Sequence, residues 1–266
     1  MKSYIKADTL LHGLSQIIVK ANRCFVPYKK DDSHTNLYYD CLGDRITGRW
    51  LNTSENRFLI ALNLANFHIE IIDATQQLIA SVSTVSYHIS DIEKKIEAMI
   101  TKLGFDASGY RGPLHYEIPA YDFLNKPIAP IDTNSLETWK TYRSMANEAC
   151  SNLLGHAQLS AEIRIWPHHF DTGIYTEINN KLAIGFGLAM KDDMVGAPYF
   201  YMSGFALKGE LHYENLPETP LLKWVLTEQY KGAVLPLDTL VEVPVPDQKA
   251  VLNRYIVTAF RWYLRQ

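Results

Sequence analysis

The stretch NRFLIALNLANFHIEII, residues 56–72, decides the fold class. It contains two runs rich in aliphatic and aromatic residues, NRFLIALNL and FHIEII, and the turn-forming Asn66 lies between them. Runs of this length that end at turn residues are typical of strands. The stretch therefore predicts two neighbouring antiparallel strands.

The flanking sequence extends this pattern in both directions. TNLYYDCL (35–42), ITGRWL (46–51) and QLIASVSTV (77–85) have the same character, so residues 35–83 predict an antiparallel meander. A helix is predicted over 91–103, where Ser90 and Glu93 match a capping box and Gly104 marks the end.

Residues 8–25 predict an amphipathic helix before the meander. The opposite side from its apolar stripe carries His12, Gln16, Lys20 and Arg23. Such a stripe is typical of a solvated face, although it would also suit a pocket if the helix turned it inward.

The second half repeats the order of helix, strands and helices. Asn134 and Glu137 suit the start of a helix over 135–153, and the four prolines of 113–130 predict an irregular connection before it. Strands are predicted near 160–166, 173–178, 182–190 and 198–206, and helices near 218–230 and 248–264. We expect a single α+β domain, 1–266, with largely antiparallel sheets in two strand-rich halves, 1–112 and 131–266, covered by helices.

Composition narrows the class of protein. Hydrophobic residues make up 47% and charged residues 21% of the 266 residues, which is typical of a globular chain, and the net charge is −3. The absence of a Lys/Arg-rich run argues against a nucleic-acid partner and an anionic-membrane surface. Cys24, Cys41 and Cys150 are widely spaced and odd in number, which favours free thiols. Without a signal peptide or an apolar span, the sequence predicts a cytoplasmic protein.

The stretch AEIRIWPHHFDTGIYTEI, residues 161–178, carries the strongest candidate chemistry. Past Pro167, an extended chain would place His169 and Asp171 on one side and His168 on the other. These three residues are candidate ligands for a divalent metal such as zinc, and His169 with Asp171 would also suit acid–base catalysis. A third partner must come from elsewhere, and His34, His115, His156 and His212 are the available histidines. The alternative is a strand end with ordinary hydrogen bonds.

The strand KLAIGFGLAM, residues 181–190, is a second candidate. Large residues alternate with Ala and Gly, so Gly185 and Gly187 lie on a face that another group can approach closely. This face would suit either a ligand or tightly packed protein.

Several motifs, taken in order, resemble a bacterial family of unknown function over nearly the whole chain. They are the first helix with Gln16 and Lys20, SHTNLYYD with His34, GRWL, LGF, the second long helix, WPHHFDTGIYTE, PYFYMSG and AVLPLDTLV. The resemblance implies that Gln16, Lys20, His34 and Asp171 share one pocket. The family pattern lacks the two histidines at 168 and 169, which leaves Asp171 the stronger candidate. It implies no reaction.

These observations favour a non-catalytic or small-molecule-binding protein. The alternative is a metal-dependent or acid–base hydrolase in which Asp171 holds a metal or orients His169, while His169 or His34 acts as ligand or base. A protein-interaction module is a third reading, supported by the aromatic content alone.

Overall fold

The computed structural model describes residues 1–54 and 56–266. Within them the chain forms five α-helices, one 3-10 helix and twelve strands, and the strands build antiparallel sheets. The predicted α+β class is confirmed, because helices and antiparallel strands occur in separate runs.

The elements are numbered in chain order. The helices are α1 (Lys2–Phe25), α2 (Ile89–Lys102), α3 (Thr133–Ala157), α4 (Leu237–Val241) and α5 (Val245–Tyr263), and the 3-10 helix is Ser33–Thr35. The first strands are β1 (Tyr38–Asp40), β2 (Arg45–Thr47), β3 (Leu51–Asn52), β4 (Arg57–Asn63), β5 (His68–Asp73) and β6 (Leu78–Ser83). The remaining strands are β7 (Arg164–Trp166), β8 (Asp171–Glu177), β9 (Leu182–Ala189), β10 (Tyr199–Ala206), β11 (Lys223–Leu226) and β12 (Lys231–Pro236).

The chain divides into two compact units. The N-terminal unit comprises Lys2–Lys140 and Arg164–Phe170, and the C-terminal unit comprises Thr141–Ile163 and Asp171–Gln266 together with Met1. The division falls within α3, and the proline-rich connection lies inside the N-terminal unit.

The N-terminal unit is built on the predicted meander. Its strands follow the order β1-β2-β4-β5-β6, and β3 pairs with β4. Helix α1 belongs to the core, since Leu11, Leu14 and Ile18 are fully buried. The short β7 joins this unit through Ile165, which exchanges backbone hydrogen bonds of 2.8 and 2.9 Å with Leu37.

The C-terminal unit contains the sheet order β11-β12-β10-β9-β8. Helix α5 is fixed to it by two tyrosine hydroxyls, from Tyr255 to the carbonyl of Ala233 at 2.8 Å and from Tyr263 to that of Met202 at 3.2 Å. A hydroxyl that bonds a strand carbonyl orients the helix on the sheet while its ring packs in the core.

Two predicted details are wrong. Residues 218–230 comprise the loop before β11, β11 itself, which pairs with β12 in antiparallel fashion, and the turn between these two strands. Helix α2 starts earlier than predicted, with His88 at its N-cap and no side-chain cap, so Ser90 lies inside the helix and forms no capping box.

Among the described residues, no helix combines the length and the apolar character that a bilayer crossing requires. Cys24, Cys41 and Cys150 are free thiols.

Candidate functional site

Residues 166–170, the WPHHF turn, lie in the N-terminal unit. The Phe170 amide donates to the carbonyl of Trp166 at 2.7 Å, and Phe170 has a φ of 52°. A positive φ is uncommon for an aromatic residue, so the surrounding packing must hold it. The buried Phe170 ring stacks on the His12 ring, with 5.2 Å between centroids, and lies 6.3 Å from that of Trp139.

The Pro167 carbonyl joins this turn to α1. It accepts from Nε2 of His12 at 3.0 Å and from Nε2 of Gln16 at 3.1 Å. Because a carbonyl only accepts, Nε2 of His12 carries a proton, and Nδ1 is hydrogen-bonded to the Tyr121 hydroxyl at 2.8 Å. The polar stripe of α1 is therefore turned inward at these two residues, both of which are buried.

Gln16 also connects to the two histidines of the turn. Its Oε1 accepts from the Tyr116 hydroxyl at 2.8 Å, and the Tyr116 ring lies 5.8 Å from that of His168. The rings of His168 and His169 are 4.2 Å apart. Of the predicted site residues in this unit, these contacts bring together Gln16, His168 and His169.

Lys20 and His34 have other partners. The Lys20 ammonium forms an ion pair with Glu93 of α2 at 2.6 Å. Nδ1 of His34 accepts from the Lys29 amide at 3.3 Å, and its ring contacts that of Tyr28. Burial lowers the pKa of His34, which disfavours the charged form of its ring.

Among residues 1–54 and 56–266, no group of three or more His, Cys, Asp or Glu side chains is arranged to hold a metal ion. Metal binding by His168, His169 and Asp171 therefore stays a prediction.

Asp171 belongs to the C-terminal unit, where it begins β8. Its buried carboxylate accepts from the Tyr201 hydroxyl at 2.5 Å. Burial and the Asp171 charge raise the pKa of Tyr201 well above its ordinary value, so the phenol stays a donor. Burial also raises the pKa of the nearby Cys150 thiol, which is consistent with an inert cysteine.

The two predicted glycines of β9 are buried and have close protein neighbours. A Cβ on Gly187 would lie 2.3 Å from the Thr172 carbonyl oxygen of β8. A Cβ on Gly185 would lie 3.3 Å from the Phe205 ring. Protein atoms therefore account for the small residues, and a ligand at Gly185 and Gly187 stays a prediction.

The C-terminal unit contains a groove that the sequence did not predict, which we call the aromatic groove. It has a volume of about 820 Å³. Its aromatic lining residues are Tyr213 and Trp224. Its aliphatic lining residues are Leu216, Pro217, Pro220 and Leu222, and its polar lining residues are Asn215, Glu218 and Thr219.

The two rings of the aromatic groove are supported by α5. The Trp224 and Trp262 centroids are 4.6 Å apart, and those of Tyr213 and Trp262 are 5.2 Å apart. Nε1 of Trp262 donates to the Glu214 carbonyl at 3.3 Å, which fixes the cluster to the loop before β11.

The sequence does not predict this groove, because the helix predicted over 218–230 would place these residues differently. The turn after β11, in which the Thr227 amide donates to the Tyr230 carbonyl at 2.8 Å, is the connection of a β-hairpin. Pro217 and Pro220 also argue against a helix starting there.

Comparisons of the chain with protein-family models, with curated proteins and with solved structures find no match. The resemblance to a bacterial family therefore stays a prediction.

Proposed function

We propose that this chain is a non-catalytic, small-molecule-binding protein whose ligand occupies the aromatic groove. The observation that carries the proposal is the presence of Tyr213 and Trp224 together in a groove of about 820 Å³. Small-molecule sites are concave, have volumes of roughly 300–1,000 Å³ and are lined mainly by apolar and aromatic side chains.

The rings are held in place before any ligand arrives. Trp262 packs against both Tyr213 and Trp224, and Tyr263 lies against Trp224 with 5.9 Å between centroids. Binding to rings that are already ordered costs little side-chain entropy, so more of the contact energy contributes to affinity.

The chemistry of the rings favours a ligand that itself contains a ring. Aromatic faces bind flat or ring-shaped groups by stacking and by covering apolar surface. Nε1 of Trp224 is buried without a hydrogen-bond acceptor in the described part of the chain. An unsatisfied buried donor costs about 1–3 kcal/mol. Because that N–H is shielded from solvent, the proposed ligand contact is made by the ring of Trp224 and not by its N–H.

The test is a thermal-shift screen with ring-containing small molecules, followed by calorimetric titration of the strongest ligand. We expect Trp224→Leu to weaken binding by about tenfold or more, because the stacking surface is lost. Trp50→Leu is the matched control, since Trp50 packs against a core cluster of the N-terminal unit. Circular dichroism establishes that both variants fold.

Equal affinity of wild type and Trp224→Leu for such a ligand would contradict the proposal. So would a screen in which no ring-containing compound raises the melting temperature.

A further inference from the structure

A second groove adjoins the aromatic groove, and we call it the arginine groove. The two share Thr219 and Pro220. The arginine groove has a volume of about 520 Å³, and its lining includes Arg254 and Arg261 of α5. Glu218, which directly precedes Thr219 in the sequence, lines the aromatic groove and not the arginine groove.

Arg254 and Arg261 occupy one face of α5. They are seven residues apart, which is about two helical turns and a rise of roughly 10 Å. In the part of the chain that the structure describes, neither guanidinium forms an ion pair, and no carboxylate lines the arginine groove. Two unpaired positive groups therefore face one depression.

The other polar groups of the arginine groove add donors. Asn253 contributes an amide, and Thr219 and Thr258 contribute hydroxyls. A guanidinium offers paired N–H groups that match the oxygens of a carboxylate or a phosphate. The apolar side chains of Pro220 and Val257 line the same groove beside these donors.

We infer that the arginine groove is an anion subsite and that the ligand of this protein is an organic anion. Its ring would lie against Tyr213 and Trp224, and its carboxylate or phosphate would bind Arg254 or Arg261. This inference rests on the proposed function, because it takes the aromatic groove as the place where the rest of the ligand binds.

The test uses two fluorescent probes that differ by one charged group. They are 1-anilinonaphthalene-8-sulfonate and the uncharged N-phenyl-1-naphthylamine, which lacks the sulfonate. We expect the Arg254→Gln/Arg261→Gln variant to bind the sulfonate about tenfold more weakly and the neutral probe within about twofold of wild type. Because both arginines are exposed, raising NaCl from 50 to 500 mM should weaken binding of the sulfonate alone.

The matched control is Arg265→Gln, which removes an exposed arginine that lines neither groove. It should leave both affinities unchanged. Displacement of the sulfonate by phenyl phosphate or by 3-phenylpropionate then distinguishes a phosphate ligand from a carboxylate ligand.

The two proposals fail in different ways. If the double arginine variant binds the sulfonate as wild type does, while Trp224→Leu weakens both probes, the anion inference is wrong and the proposed function stands. If Trp224→Leu binds both probes with the affinity of the wild type, the proposed function is wrong, and so is the anion inference that rests on it. Failure of both probes to bind at millimolar concentration would contradict both.

Discussion

The ammonium of Lys20 and the carboxylate of Glu93 lie 2.6 Å apart, and their side chains are only 17% and 9% exposed. Removing one partner of such a pair leaves the other charge in a poorly solvated place. We expect Glu93→Gln to lower the free energy of unfolding by about 2 kcal/mol. Urea denaturation monitored by circular dichroism measures this change.

The control for Glu93 is a pair on the same helix that faces water. Lys94 and Asp91 are 3.3 Å apart, with side chains 60% and 45% exposed. Lys94→Gln should change stability by less than about 0.5 kcal/mol, because exposed ion pairs contribute little. If Glu93→Gln proved as mild as this control, Lys20 would be available for the ligand-binding role predicted from the sequence.

Single residues of α1 show what the sequence could not predict. His12 and Gln16 lie on a stripe that is typical of a solvated face, yet both are buried. Their common partner is the Pro167 carbonyl, more than 150 residues further along the chain. Burial of a polar group is tolerated when a partner satisfies it, and no local pattern reveals a partner that distant.

At the scale of the element, the two glycines of strand β9 have different neighbours, one a backbone and the other a side chain. The backbone of β8 approaches Gly187, whereas the side chain of Phe205 covers Gly185. A backbone carbonyl in a sheet cannot move aside, but a partly exposed ring can. We therefore expect Gly187→Ala to lower the free energy of unfolding by about 2–3 kcal/mol and Gly185→Ala by less than about 1 kcal/mol.

The pair of alanine variants is its own control, since both substitutions add one methyl group to the same strand. Chemical denaturation gives both values. Equal losses of stability would mean that the Thr172 carbonyl yields as easily as the Phe205 ring. That result would reopen the close-approach face as a place for a ligand.

Elements with an unambiguous pattern were predicted correctly, including the strands β8, β9 and β10, and the segment with an ambiguous pattern, 218–230, was not. The meander of 35–83 and the helices α1, α2, α3 and α5 follow from strong periodicity. The helix predicted over 218–230 is wrong because the five apolar residues within 221–226 fit a helical and an extended pattern almost equally. Trp224 lies on β11 and lines the aromatic groove, so the sequence did not predict this groove either.

At the scale of the whole molecule, the chain is notable for its sixteen tyrosines, of which many are buried. Burial raises the pKa of Tyr121 to about 12, from an ordinary value of 10.0. Burial likewise raises the pKa values of tyrosines in both units, among them Tyr110, Tyr116, Tyr199, Tyr201, Tyr230, Tyr255 and Tyr263. The phenol protons are thus held more tightly in the native state than in the unfolded state.

This difference predicts loss of stability in alkali. Above pH 10 the unfolded chain releases phenol protons that the native state retains, so the free energy of unfolding falls as the pH rises from about 10 towards 12. Urea denaturation at pH 8, 10 and 11 measures the fall. Tyrosinate absorbance at 295 nm should rise at higher pH in the native protein than in guanidinium chloride, and Tyr201→Phe should remove one of the late-titrating groups. Coincident titration curves for the native and denatured protein would contradict the prediction, because they would mean that water reaches these hydroxyls.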